Sequence, residues 1–263
     1  MESVETGVAR FTSGGWTREV DHVAPEAPLE LRLRGVPLAV LMRTPGQERD
    51  LALGFALTEG ILVSPAELAD VRPIDDGDRF ELVLAEHIEI DPEQFRRSVY
   101  TSSSCGVCGK ASIDAVRIAA RPLPPGPLVD PRMLAALPER LLADQRGFAR
   151  TGGLHAAGIF EPDGRLLVHA EDVGRHNATD KVIGALAATR WPLGEVILQV
   201  SGRVSFEIVQ KAAVAGIPMV LGVSAASSLA VELASDLGLT LAGFVREGGF
   251  VVYSGAGRLV GSP

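Results

Sequence analysis

The stretch EVILQVSGRVSFEIVQKAAVAGIPMVLGVS, residues 195–224, decides the predicted fold. It holds two short apolar runs, EVILQVS and PMVLGVS, separated by a helical pattern over residues 206–215. Short continuous apolar runs are typical of buried strands, and a helix between two of them is typical of a βαβ unit with parallel strands. This stretch therefore predicts an α/β fold.

The same alternation continues on both sides of that stretch. The runs LHAAGIF and RLLVHAEDV flank the turn signal at 161–164 and predict a strand pair. Helices are predicted over residues 178–189 and 229–237, and TLAGFV and FVVYS read as the last strands. We predict that residues 131–263 form one α/β cofactor-binding domain, with a mostly parallel sheet covered by helices on both faces.

The preceding residues predict two further parts. Residues 1–97 form a small α+β unit: a flexible tail or edge strand up to Pro25, strands over 29–33 and 37–42, a helix capped by Thr44–Gln47, a second helix from Ser64, and a strand through Phe80. Residues 98–130 comprise a reactive loop, a helix through Ile113 and a proline-rich connector. Asp130 then caps a helix that runs to Leu141.

Charge and composition exclude several classes of function. The net charge of −8 argues against general nucleic-acid binding. The apolar runs are too short to span a bilayer, and the first residues do not have the pattern of a signal peptide. We therefore expect a soluble, cytoplasmic protein that binds neither nucleic acid nor membranes.

The stretch TSSSCGVCGK, residues 101–110, holds the two cysteines of the chain, Cys105 and Cys108. Three kinds of chemistry fit this CxxC: a thioredoxin-like dithiol, half of a zinc site, or a cysteine that carries persulfide sulfur. A thioredoxin motif normally opens a helix after an early strand, whereas this one lies in mid-chain. His169-Ala170-Glu171 resembles the HxE of zinc deaminases, but here it follows the CxxC. Lys110 in a polar loop favours the thiolate that a sulfur carrier needs.

Two serine-containing loops, residues 201–205 and 224–228, each follow a predicted strand and precede a helix. Hydroxyls, Arg203 and open backbone N–H groups at such places can hold phosphate, although serines before helices are equally often caps. Residues 171–177 form a second polar cluster, either a pocket or a set of salt bridges with Asn177 as the helix cap and Asp180 and Lys181 on the solvated face. Residues 151–155 are a third candidate, in which a lone histidine is more often structural.

Six longer motifs occur in order along the chain: RTPGQERDLALGFALTEGI, SSCGVCGK, TGGLHAAGIF, EDVGRHNATDKVIG, SGRVSFEIVQKAAVAGIP and LTLAGFVR. Together they resemble the formate dehydrogenase accessory protein family of the FdhD/NarQ type. The resemblance implies a cytidine-deaminase-like main domain and a sulfurtransferase. Its members take persulfide sulfur from a cysteine desulfurase and supply it to the bis-molybdopterin guanine dinucleotide cofactor of formate dehydrogenase. It also implies a homodimer; the alternative function is a non-catalytic chaperone that delivers this cofactor.

The resemblance also implies roles for individual residues. Cys105 is expected to carry the persulfide, with Cys108 as helper or alternative acceptor. No metal site is expected, and a guanine nucleotide such as GDP is expected to mimic the bound cofactor. The expected cofactor-binding residues are Phe244, Val245, Arg246, Glu247, Gly248, Gly249, Ser201, Gly202, Arg203, Ser224, Arg175 and His176. Members of the family often carry a proline where this chain has Ser224-Ala225-Ala226-Ser227. The three arginines of this set, Arg175, Arg203 and Arg246, are expected to gather in one pocket.

Overall fold

The computed structural model describes residues 3–74, 77–95 and 122–262. The CxxC, the helix predicted through Ile113 and part of the turn at 75–78 lie outside these residues. No helix in the described ranges is long and apolar enough to cross a membrane.

The strands are β1 Val4–Thr12, β2 Gly15–Val23, β3 Ala27–Leu33, β4 Val36–Arg43, β5 Leu68–Pro73, β6 Arg79–Leu84, β7 His155–Phe160, β8 Leu166–Asp172, β9 Ile197–Val200, β10 Met219–Gly222, β11 Thr240–Arg246 and β12 Gly249–Ser254. The helices are α1 Glu48–Thr58, α2 Pro131–Ala135, α3 Leu137–Asp144, α4 Arg146–Thr151, α5 Arg175–Ala187, α6 Phe206–Val214 and α7 Ser228–Asp236.

Six strands form the main sheet, in the order β12-β11-β10-β9-β7-β8. The two βαβ units predicted from the apolar runs are present, because β9, β10 and β11 are parallel neighbours. The prediction of a mostly parallel sheet is wrong, since β7 is antiparallel to both β8 and β9, and β12 is antiparallel to β11. The reason is connection length: short turns join β7 to β8 and β11 to β12, and a short turn can only join antiparallel strands.

Helices cover the main sheet on both faces, as predicted. One face packs against α5, α6 and α7, in a large apolar cluster that also includes the core of the N-terminal elements. The other face packs against α2 and α3 in a second cluster, where Leu134, Leu137 and Leu141 contact the sheet. Asp130 caps α2 by accepting a hydrogen bond from the backbone N–H of Arg132, also as predicted.

The N-terminal elements comprise a four-stranded sheet, in the order β4-β3-β6-β5, and helix α1. Leu29, Leu31 and Leu33 are fully buried, so the predicted alternation of β3 is confirmed. The capping prediction for α1 is wrong: the helix begins at Glu48, and Gln47 precedes it in a left-handed conformation without capping it through its side chain. The second helix is also shorter than predicted, because a 3₁₀ turn at Pro65–Glu67 leads directly into β5.

Residues 4–23 form neither a flexible tail nor an edge strand. They form an antiparallel hairpin of β1 and β2, two strands of nine residues each that are paired from Val4 with Val23 to Thr12 with Gly15. The sequence prediction failed here because both faces of the hairpin mix polar and apolar residues, so the sequence has no regular alternation.

Helices α1 and α5 cross at very short distance, which joins the N-terminal elements to the main sheet. A Cβ atom on Gly54 would lie 1.9 Å from the carbonyl oxygen of Asp180, and one on Gly184 would lie 1.9 Å from that of Asp50. Only glycine permits backbones to approach this closely. The crossing therefore depends on one glycine from each helix.

Candidate anion-binding site

Four loops meet at one edge of the main sheet. Strands β8, β9, β10 and β11 run in the same direction, so their carboxyl ends lie at the same edge, where ligands bind in α/β folds. The backbone N–H of Ser224 donates to the carbonyl of Gly202 (3.4 Å), and that of Phe244 donates to the carbonyl of Ser224 (3.1 Å). The structure therefore brings together the two serine-containing loops and the start of the 244–249 segment, as the sequence predicted.

Two glycines allow these loops to approach each other. A Cβ atom on Gly243 would lie 2.9 Å from the carbonyl oxygen of Ser224, and one on Gly222 would lie 2.6 Å from the Val204 side chain. Ser227 caps α7 by accepting a hydrogen bond from Ala230, which is the capping role that the sequence left open. Ser201 accepts a hydrogen bond from the backbone N–H of Ala156, so it fixes its loop against β7.

Basic side chains from a different part of the chain lie against the loop of residues 201–205. A Cβ atom on Gly202 would be 3.4 Å from Nδ1 of His155 and 3.9 Å from Cδ of Arg175. Partial burial is the largest cause that lowers the pKa of His155 below its ordinary value. The nearby charges of Arg175 and His176 lower it further, and Asp172 opposes the shift. His155 is therefore neutral at neutral pH and can accept or donate a hydrogen bond. Sequence reasoning set it aside as structural.

His176 connects the first turn of α5 to the start of α6. Its Nε2 lies 3.3 Å from Oγ of Ser205 and 3.8 Å from the Glu207 carboxylate. The contact with His176 lowers the pKa of Glu207 to about 2, against the effect of burial and with further help from Ser205. Glu207 is therefore a fixed negative charge that orients the imidazole.

A buried ion pair holds the amino end of α5 in place. The Asp172 carboxylate lies 2.7 Å from Lys181 Nζ, and it accepts hydrogen bonds from the backbone N–H groups of Thr44 and Gly174 and from the Asn177 amide. The predicted capping role of Asn177 is wrong: Gly174 is the N-cap, and Asn177 points back to Asp172 within the helix. The cluster therefore fixes the backbone from which Arg175 and His176 project.

A second buried pair involves Asp180, the residue of α5 that directly precedes Lys181. Asp180 lies 2.9 Å from Lys211 Nζ and accepts a hydrogen bond from the Thr58 hydroxyl, and Lys211 also contacts Glu59. Burial alone would lower the pKa of Lys211, but Asp180 and Glu59 raise it above its ordinary value. The prediction that Asp180 and Lys181 lie on a solvated face is wrong, since both side chains are buried.

The segment 244–249 is the end of β11 and its turn into β12. Phe244 is 43% exposed and has a left-handed φ of 54°, which is unusual for a bulky residue. The Val245 side chain is fully buried in the second apolar cluster, so it can offer the edge only its backbone. Glu247 and Gly248 form the turn, and Arg246 pairs with Gly249 across it.

The structure brings one of the three predicted arginines, Arg175, to the loop that carries a second, Arg203. Arg175 lies against Gly202, and Arg203 is the next residue of that same loop, exposed to solvent. Arg246 is exposed at the same edge of the sheet, beyond Phe244. A common pocket for all three stays a prediction, as do the roles of Cys105 and Cys108, which lie outside the described residues.

The HxE motif has a structural role. The Glu171 carboxylate accepts hydrogen bonds from the backbone N–H groups of Gly147 (2.8 Å) and Phe148 (2.7 Å), and so fixes the first turn of α4. In the described part of the chain, no three His, Cys, Asp or Glu side chains are placed to hold a metal ion. Both oxygens of the Glu171 carboxylate therefore already accept backbone hydrogen bonds, whereas the glutamate of a zinc deaminase transfers protons at the metal site.

Fold and site together define an α/β protein with a candidate anion-binding edge, and comparisons with known proteins identify the family. The sequence profile of the FdhD/NarQ family matches residues 24–260. The chain therefore belongs to the FdhD/NarQ family, which confirms the resemblance.

Relatives match along almost the whole chain. A protein of Streptomyces coelicolor named sulfur carrier protein FdhD is 48% identical over 264 residues, covering 96% of this chain and 94% of that protein. Proteins with the same name from Nocardia farcinica (96% of this chain, 93% of that protein) and Mycobacterium tuberculosis (90% and 91%) are 48% and 45% identical. A crystal structure from Desulfotalea psychrophila, described as a candidate formate dehydrogenase accessory protein, has a TM-score of 0.81, with 23% identity and coverage of 98% and 99%. It shows the same mixed α/β fold; the cytidine-deaminase-like assignment stays a prediction.

Proposed function

We propose that this protein carries sulfur from a cysteine desulfurase to the molybdenum cofactor of formate dehydrogenase, in the cytoplasm, with Cys105 as the carrier. The observation that carries the proposal is the 48% identity, over nearly the full chain, to a relative named sulfur carrier protein. The family's sulfur chemistry needs a reactive thiol, and Cys105 and Cys108 are the two thiols of this chain.

The first step is a transfer between two cysteines. The Cys105 thiolate attacks the outer sulfur of a persulfide on the desulfurase. The sulfur–sulfur bond on the desulfurase breaks, its cysteine leaves as a thiolate, and the outer sulfur stays on Cys105 as a new persulfide. Nucleophilicity of this kind belongs to the thiolate rather than the thiol. Cys108 is the helper or alternative acceptor.

The substrate that receives the sulfur is bis-molybdopterin guanine dinucleotide, whose phosphates need an anion-binding surface. The first turn of α5 carries Arg175 and His176, and its backbone is held by the buried Asp172–Lys181 pair. Basic residues in the first turn of a helix are unfavourable toward the helix dipole, and a bound anion relieves this. Arg203 supplies further positive charge beside it, in a loop that the Ser224 N–H holds by its hydrogen bond to Gly202.

The covalent chain is long enough to connect the carrier to this edge. Pro122, where the described chain resumes, follows Cys108 by 14 positions (122 − 108). A chain of that length spans at most about 46 Å. Leu123 is anchored by its N–H to the carbonyl of Leu237, at the amino end of β11, and β11 is seven residues long, roughly 23 Å. The chain is therefore long enough for Cys105 to deliver sulfur at the carboxyl edge of the sheet.

The direct test is sulfur loading of the CGVC peptide. Purified protein is incubated with a cysteine desulfurase and cysteine, and the peptide is examined by mass spectrometry for one added sulfur atom. We expect the adduct on wild type and on the matched control Ser103→Ala, and loss of the adduct in Cys105→Ser. We also expect Cys105→Ser to lower formate dehydrogenase activation about 100-fold or more.

The rival function is a chaperone that binds and delivers the cofactor without carrying sulfur. If wild type acquires no sulfur and Cys105→Ser still activates the dehydrogenase, the carrier function is refuted and the chaperone remains. Binding is tested separately with GDP, which has the phosphates and base of the cofactor's nucleotide end. Arg175→Ala should weaken GDP binding about tenfold, whereas Cys105→Ser should leave it unchanged.

A further inference from the structure

His155 is the first residue of strand β7, at the edge of the main sheet where the binding loops meet. Because β7 is antiparallel to β9, its first residue lies beside the carboxyl end of β9. A Cβ atom on Gly202 would lie 3.4 Å from both Nδ1 and Cε1 of the His155 ring. The Ser201 hydroxyl accepts a hydrogen bond from the Ala156 N–H and so fixes this loop against β7. The imidazole is therefore held against the loop that follows β9.

The imidazole of His155 has no acid of its own. In the described part of the chain, neither of its ring nitrogens has a hydrogen-bond partner. Asp172 lies opposite His155 across the β7–β8 pair. Its carboxylate, however, already contacts Lys181 and accepts hydrogen bonds from the backbone N–H groups of Thr44 and Gly174. A carboxylate with these partners has little capacity left for the imidazole.

The charges around His155 oppose its protonation in the protein without a ligand. Burial and the basic groups of Arg175 and His176, from the first turn of α5, lower the pKa of the ring, and Asp172 at the end of β8 opposes them. The loop after β9 adds one further charge, the exposed and positive Arg203. The basic groups and burial together outweigh the single acid, so the ring stays neutral at neutral pH.

A bound anion reverses this balance. Gly202 is close to both basic side chains, since a Cβ atom there would lie 3.4 Å from the His155 ring and 3.9 Å from Cδ of Arg175. A phosphate at this loop supplies the negative charge that the ring lacks, and a nearby opposite charge favours the charged form of a titratable group. From this geometry we propose that His155 binds the phosphates of the cofactor's nucleotide end as an imidazolium, and that the site takes up one proton from solvent when it binds. This role of His155 rests on the proposed function, because it concerns the same edge of the sheet.

The direction of the pH dependence follows from linkage. The proposal places the pKa of His155 higher in the complex than in the free protein. Binding is then strongest below the free-protein pKa, weakens as the pH rises between the two values, and levels off above the pKa of the complex. Between the two values the dissociation constant should rise by up to about tenfold per pH unit. Arg175 and Arg203 stay charged throughout, so they contribute affinity but no slope.

The test is calorimetric titration of the full-length protein with GDP-mannose between about pH 5.5 and 8. This probe has a guanosine and a pyrophosphate diester, so its phosphates do not titrate in that range, unlike the terminal phosphate of GDP. For wild type we expect the Kd to rise about tenfold over the range. We also expect proton uptake on binding, measured as the dependence of the observed enthalpy on the ionisation enthalpy of the buffer.

Two glutamine variants assign the proton to His155. His155→Gln keeps hydrogen-bonding groups but cannot carry the charge, so it should bind weakly, with a flat pH profile and no proton uptake. The matched control, His87→Gln, removes an exposed histidine in the turn after β6 and should behave as wild type. Circular dichroism verifies that both variants are folded. Without any variant, nuclear magnetic resonance of the histidine rings should show the His155 signal titrating at higher pH with GDP-mannose than without it.

His176 is the other histidine at this edge, and His176→Gln distinguishes the two. It should bind more weakly than wild type but keep the wild-type slope. A flat wild-type profile overturns the proposal alone and leaves the anion-binding edge standing, as does a slope that is kept in His155→Gln and lost in His176→Gln. A His155 signal that titrates at the same pH with and without the probe does the same. A wild type that binds no GDP-mannose at any pH overturns both this proposal and the anion site of the proposed function.

Discussion

Phe244 is the residue at the binding edge whose backbone is most unusual. Its left-handed φ of 54° costs free energy for any residue with a Cβ, and its ring is nevertheless partly exposed beside the Ser224 loop. Strained residues that persist at a candidate site suggest that the strain positions a side chain for function. An aromatic ring held at this place can stack on a nucleotide base.

Replacing Phe244 by glycine and by alanine separates strain from binding. Both variants lose the ring, but only alanine keeps the penalty for the left-handed backbone. We expect Phe244→Gly to be more stable than Phe244→Ala by about 1 kcal/mol in urea unfolding. Both should lose GDP affinity to a similar extent in calorimetric titration. An alanine variant as stable as the glycine variant, or wild-type GDP affinity in both, would contradict this account.

Glu207 predicts how stability changes in acid. The folded-state pKa is about 2, below the ordinary value of 4.5, mainly because of His176. A lowered carboxylate pKa contributes stability that is complete above pH 4.5 and is lost as the pH falls toward 2. The contribution is at most about 3 kcal/mol and is reduced by solvent screening.

The Glu207→Gln variant checks this directly. Between pH 5 and about 2, its free energy of unfolding should fall less steeply than that of wild type. The control is Glu139→Gln, which also changes an acid in the first turn of a helix, but an exposed one. If the control flattens the acid slope as much as Glu207→Gln does, the His176 contact is not the cause.

Among the elements, the crossing of α1 and α5 determines where the binding edge lies relative to the N-terminal sheet. The backbones meet at Gly54 and Gly184, and the buried pairs Asp172–Lys181 and Asp180–Lys211 lie on either side of the crossing. Buried ion pairs add little net stability when intact, but they are costly to separate. The helices therefore have one favourable position.

A methyl group at the crossing should be strongly destabilising. Gly54→Ala places a Cβ 1.9 Å from a backbone carbonyl, so the helices must move apart and the buried pairs must lengthen. We expect a loss of about 3 kcal/mol or more in urea unfolding. The control is Gly257→Ala, because a Cβ there meets nothing within 4 Å. A loss below about 0.5 kcal/mol for Gly54→Ala would show that the crossing adapts.

The elements that the sequence predicted well are those whose signal is local. Strands β9 and β10 are short apolar runs, and the binding loops follow them directly, so their meeting at one edge could be predicted. Strand β5 was missed because LADVRP does not alternate. Asp180 and Lys181 were misjudged because a charged residue usually lies in solvent, and the groups that they bind, at Thr58 and Thr44, are 122 and 137 positions away. The prediction of a mostly parallel sheet failed for the same reason: no local pattern says that β7 pairs antiparallel with β9.

Across the whole molecule, one apolar cluster spans both larger sheets. It contains Leu31 of the N-terminal sheet, Leu57 of α1 and Leu198 of the main sheet. Trp191 packs against this cluster, and its indole N–H donates to the carbonyl of Val63, 3.0 Å away, in the N-terminal part of the chain. A continuous core of this kind predicts that the two parts do not unfold independently.

Trp191 can report on that coupling. The chain has two tryptophans, and Trp16 lies exposed in the hairpin, so Trp16→Phe leaves Trp191 as the single fluorescent reporter at the junction. In urea, we expect its fluorescence and the far-ultraviolet circular dichroism of the whole chain to follow the same transition, because loss of the junction exposes the core beneath both sheets. A fragment of residues 131–263 should accordingly fail to give a cooperative transition, since the face that packs against α1 would be open to water. If the fluorescence changes at clearly lower urea than the circular dichroism, or if the fragment unfolds cooperatively, the N-terminal elements are an accessory to an independent domain. The position of the binding edge would then not depend on the α1–α5 crossing.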